Sequence, residues 1–111
     1  MNGHHWVRVT PCDSIPLREG RVVTLGGRDI AIFNLGDRFM ATDNQCPHEG
    51  GPLCDGIVAG DSVVCPLHAW KFKLETGAVE RPASKHECLV TYPTRIEDGI
   101  VVLGLPEIST P

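Results

Sequence analysis

Apolar and polar positions alternate along much of the chain with a period of two, the pattern of strands that bury one face. Trp6-Val7-Arg8-Val9 begins this way, and Pro11 ends it because proline cannot donate to a sheet ladder. Cys12 to Gly20, with Asp13, Ser14 and Pro16, reads as a loop. Arg21 to Leu25 and Arg28 to Leu35 read as strands joined by Gly26-Gly27, a pair that admits positive φ. Gly36-Asp37 turns the chain again into Arg38 to Thr42, so the first 43 residues predict a small antiparallel meander. Near the other end, Leu89 to Glu97 reads as one strand, Asp98-Gly99 as a type I′ hairpin turn, and Ile100 to Leu105 as the returning strand. A frayed tail is expected over 106–111. Apolar spacing at i, i+3, i+4 and i+7 is sustained nowhere, so only a short helical turn is expected, around Arg81 to Glu87. The pattern predicts an all-β fold, antiparallel sheets forming a small sandwich or barrel.

Between the two strand-rich arms, about 44–74, the composition changes. This insert is dense in glycine and proline (Pro47, Gly50, Gly51, Pro52, Gly56, Gly60, Pro66). Short strands are expected at Ile57 to Ala59, Ser62 to Cys65 and Trp70 to Leu74, with turns at Gly60-Asp61 and Thr76-Gly77. Two loops should therefore project from consecutive hairpins, where a rigid sheet presents functional side chains.

At 111 residues the chain is a single domain, 1–111, long enough for a core without disulfide staples. A formal charge of −4 offers no basic field for a phosphate backbone, so a nucleic acid is not an expected partner. No apolar run is long enough to span a membrane and no signal-peptide pattern opens the chain, so the expectation is a cytoplasmic protein without a membrane partner. Five cysteines, an odd number, fit a full disulfide framework poorly and read better as metal ligands or small buried residues.

Two of the five lie in the insert's loops, in Cys46-Pro47-His48 and, after sixteen further residues, Cys65-Pro66-Leu67-His68. Two thiolates and two imidazoles in short loops are a metal-ligand set. A zinc ribbon would need two residues between the ligands of each loop, so that each turn wraps one small ion. The second loop has that spacing; the first has Pro47 alone, which favours a binuclear centre over a structural zinc module.

C-x-H followed by C-x-x-H in a Gly/Pro-rich frame resembles the Rieske proteins. The resemblance implies a Rieske-type domain whose inserted two-loop subdomain binds one [2Fe-2S] cluster, with Cys46 and Cys65 on one iron and His48 and His68 on the other. Mixed ligation leaves the oxidised centre neutral, which raises its potential into roughly −150 to +300 mV across the class. Respiratory members of high potential add a bridging cysteine to each loop, where this chain has Gly51 and Leu67. They also direct serine and tyrosine hydroxyls at the sulfurs, where this chain has Trp70 and Phe72. Fewer hydrogen bonds to sulfur predict the low end of the range.

Beyond the ligands, Gly50-Gly51-Pro52-Leu53, Gly56-Ile57-Val58-Ala59-Gly60, Leu74-Glu75-Thr76-Gly77 and Thr91-Tyr92-Pro93 resemble the small subunit of assimilatory NAD(P)H nitrite reductase. That resemblance implies an electron-transfer subunit with no substrate-level catalysis of its own. Its partner would be a large flavin and siroheme subunit that reduces nitrite to ammonium. The alternative is a free Rieske ferredoxin serving an aromatic-ring dioxygenase, with the same fold and ligands. In either case the partner is expected to dock at the His48/His68 tip, and NADH, NADPH or ferredoxin remains open as donor. Cys12, Cys54 and Cys88 read as small space-filling residues, and Trp70 and Phe72 as core packing beneath the second loop.

Overall fold

The computed structural model describes residues 4–46, 51–67, 69–82 and 88–106, and these form three antiparallel sheets with two short 3-10 turns and no α-helix. The first sheet is ordered β1 (His4–Pro11), β11 (Ile100–Pro106), β10 (Thr94–Glu97). The second is β2 (Gly20–Leu25), β3 (Arg28–Asn34), β4 (Phe39–Asp43), β9 (Thr91–Tyr92). The inserted sheet is β5 (Ile57–Ala59), β6 (Ser62–Val64), β7 (Lys71–Lys73), β8 (Val79–Arg81).

Strand β3 organises the packing because it is buried on both faces. Ile30 and Ile32 point into one core with Phe39, Ala41, Tyr92, Val101 and Leu103, between the first and second sheets. Ala31 and Phe33 point the other way, into a core with Leu53, Val63, Trp70, Phe72, Leu74, Cys46 and Cys65. Alternation along one strand thus glues three layers together, and the cysteines of both loops sit in the layer behind the insert.

Two expectations need correction. Strand β1 does not join the meander; it pairs with β11 across the molecule, because the segment from Cys12 carries the chain away before β2 begins. Alternation identifies a strand and is silent about its neighbour. The segment from Leu89 to Glu97 is two strands in different sheets, divided at Pro93, whose carbonyl accepts Gly104 N–H at 2.9 Å. The Gly26-Gly27 and Asp98-Gly99 turns have positive φ at both central residues, as a type I′ turn requires. Strand β8 was not announced by the pattern. The helical turn expected near Arg81 to Glu87 falls largely on residues outside those described, while Arg81 itself ends β8.

The second sheet is fastened to its last strand by side chains: Arg28 Nη1 donates to Tyr92 Oη at 2.9 Å, and Tyr92 Oη donates to Asp43 Oδ1. Burial, reinforced by the bond to Asp43, raises the Tyr92 pKa above its ordinary value. The folded protein therefore keeps this proton at a pH where the unfolded chain, near about pH 10, releases it. The resulting stability is present below that pH and is lost as pH rises through the folded-state value. Tyr92→Phe is expected to flatten this alkaline loss, read as urea midpoints across the alkaline range. Among the described residues no helix is long and apolar enough to cross a membrane.

Candidate metal centre

Cys46 and Cys65 are 1% and 2% exposed and belong to the same core. Each opens a loop closed in the same register. Cys46 N–H donates to Gly51 O at 2.9 Å, and Cys65 N–H donates to Trp70 O at 2.7 Å, both bonds reaching five residues ahead. One step further out, Gln45 pairs with Pro52 and Val64 with Lys71. The two hairpin loops are thus equivalent frames, each with its cysteine at the inner corner. His48 and His68 lie outside the described residues.

The loops meet through Gly51 and Leu67. A Cβ on Gly51 would stand 2.9 Å from Leu67 Cδ1 and 3.5 Å from Cys65 Sγ. The first loop's backbone therefore lies near the sulfur of the second, and Leu67 packs against it. Only glycine admits this approach without displacing Leu67. Two buried thiols, held by opposed loops whose sequences each supply one imidazole, fit a two-iron centre with two sulfur and two nitrogen ligands.

Around this frame the apolar side chains divide. Trp70 and Phe72 are buried in the shared core, their ring centroids 6.3 Å apart, so they support the second loop from beneath. Leu67, Pro52 and Pro66 are exposed, Leu67 by 42%, and give the loops an apolar rim. Between them, Ala69 is held at φ 56°, a left-handed conformation that costs an L-residue about 1–2 kcal/mol. Ala69→Gly is expected to stabilise the protein by up to about 1 kcal/mol, visible as a raised thermal midpoint.

Of the remaining cysteines two fill space as expected, while Cys88 does not. Cys12 packs against the core between the first two sheets, and Cys54 against the core that holds Cys46 and Cys65. Cys88 is an exposed free thiol beside Thr76 O. Burial and the neighbouring Asp55 raise the Cys54 pKa, which disfavours the thiolate a metal needs. One residue that motif reading passes over is Asn44. Its side-chain carbonyl accepts Cys54 N–H at 2.8 Å, and the only signal for it was a polar residue where a strand gives way to a loop.

The sequence profile of the Rieske [2Fe-2S] domain matches residues 5–93. The 3-phenylpropionate/cinnamic acid dioxygenase ferredoxin subunit of Escherichia coli (strain K12) is 36% identical over 103 residues, 90% of this chain and 95% of that protein. The Sphingomonas yanoikuyae B1 ferredoxin structure superposes with a TM-score of 0.82 at 30% identity, covering 92% of this chain and 100% of that one. A Mycobacterium tuberculosis chain assigned as an NADH-dependent nitrite reductase small subunit gives a TM-score of 0.85 at 24% identity, over 95% and 98% of the two chains. At that identity the likeness speaks to fold alone.

Proposed function

The chain belongs to the Rieske [2Fe-2S] family and carries one cluster of that type, and from this premise we propose that it is a ferredoxin delivering single electrons to the oxygenase of an aromatic-ring dioxygenase system. The observation that carries this reading is the likeness to a dioxygenase ferredoxin at 36% identity over nearly the full length of both chains. When bound, the cluster supplies one-electron redox chemistry, within roughly −150 to +300 mV for its class. In this reading Cys46 and Cys65 hold one iron and His48 and His68 the other. Cys46 and Cys65 are buried, and in this reading the partner docks on the side that carries the histidine ligands. Leu67, Pro52 and Pro66 exclude water there and offer the partner an apolar contact. The midpoint lies at the low end of the range, because Gly51, Leu67, Trp70 and Phe72 bring no hydroxyl or bridge to the centre.

The second reading, the small subunit of an NAD(P)H nitrite reductase, rests on Gly50-Gly51-Pro52-Leu53, Leu74-Glu75-Thr76-Gly77 and Thr91-Tyr92-Pro93. The acceptor separates the two. Chemically reduced protein, mixed anaerobically with a ring-hydroxylating oxygenase, is expected to be reoxidised at a rate that rises with oxygenase concentration. Reoxidation by a siroheme nitrite reductase subunit alone would overturn the proposal in favour of the second reading.

A further inference from the structure

The two loops share a register but are anchored differently below their necks. Beneath the second loop, Val64↔Lys71, Val63↔Phe72 and Ser62↔Lys73 continue as a regular β6–β7 ladder. Beneath the first there is no ladder. Gln45↔Pro52 is an isolated pair, Pro52 has no N–H to donate, and the chain turns at once into a 3-10 turn at Leu53–Asp55. The strand that enters the loop is nevertheless fixed: Tyr92, itself held by Arg28, donates to Asp43, and Asn44 N–H donates to Asp29 O at 2.9 Å. What remains to be tied down is the returning segment.

Asn44 ties it down with both of its carbonyls. Its main-chain oxygen accepts Leu53 N–H at 2.8 Å and its side-chain oxygen accepts Cys54 N–H at 2.8 Å. Position 44 lies two residues before Cys46, as Val63 lies two before Cys65. Val63 meets Phe72 through a strand pair, whereas Asn44 meets Leu53 and Cys54 with one backbone and one side-chain acceptor. We infer that Asn44 is the positioning residue of the first cluster loop: its amide takes the place of the missing ladder and fixes where Cys46 is presented. This requires the family's cluster but not the identity of the redox partner.

The test uses the oxidised holoprotein and three variants. Asn44→Ala removes the side-chain acceptor. Asn44→Asp keeps an oxygen there. Asn34→Ala is the control, since Asn34 also makes two side-chain bonds to main chain, to Ile15 O and from Gly36 N, in a different loop. Asn44→Ala is expected to speed amide exchange across 44–56 and cluster loss to a chelator by about tenfold, the scale of leaving one amide without its acceptor. It should also alter the EPR line shape of the reduced centre. Asn44→Asp is expected to restore all three, and Asn34→Ala to leave them as in the parent. Parental exchange, release and line shape in Asn44→Ala would overturn the inference. So would equal effects from Asn34→Ala, or failure of Asn44→Asp to restore them. Failure to reduce an oxygenase would count against the proposed partner alone, because none of these readouts involves one.

Discussion

Cys65→Ala protein is expected to emerge from anaerobic purification without the visible absorption of an iron–sulfur centre, and Cys46→Ala, His48→Ala and His68→Ala to lose or displace it. On the proposed assignment each removes one ligand of four. For the cysteines the loss is compounded by place, because Cys46 and Cys65 are buried at the inner corners of two loops. Cys54→Ser is the counterpart expected to keep its colour. Cys54 packs on the same core, but its sulfur lies 3.9 Å from Asp55 Oδ1 and its pKa is raised by burial and that carboxylate. A metal binds the thiolate, and this environment opposes it. Iron content and absorption of the purified variants check the set, and a bleached Cys54→Ser protein would overturn the ligand assignment.

Phe72→Ala is expected to destabilise the protein by about 3–5 kcal/mol, the usual cost of an emptied aromatic site in a core. For a domain whose total stability is of order 5–15 kcal/mol, that is a large share. Phe72 is fully buried in β7, paired with Val63 and Val79 and packed in the core that holds both cysteines. The cavity would lie directly behind the second loop, so the variant should also release iron faster. Leu103→Ala is the comparison. Leu103 is equally buried, but in the core on the other face of β3, and its loss should lower the urea midpoint while iron release stays slow at matched stability. Equal iron release from the two variants would show that the cores are not separate in function.

That division could not be read from the chain before folding. The apolar residues of Ile30 to Phe33 mark a strand, but one strand serving two cores emerges only when a sheet lies on each side. Strands with tight turns were legible because Gly26-Gly27, Gly60 and Asp98-Gly99 announce their own geometry. Pairing across the sequence was not: β1 meets β11, and the break at Pro93 moves β9 and β10 into different sheets, through contacts no local pattern encodes. The CxH and CxxH spacings single out Cys46 and Cys65, and folding places both in one buried core. Asn44 was not, because a side chain that substitutes for a sheet ladder is visible only beside the loop that has one.

Pulsed EPR on anaerobically purified protein reduced by one electron reads out a two-iron centre with two thiolate and two imidazole ligands. The expected result is a paramagnetic iron–sulfur signal with hyperfine coupling to nitrogen from two histidines, lost or halved in His48 and His68 variants. A colourless protein holding one zinc ion, or a cluster signal with no nitrogen coupling, would contradict it.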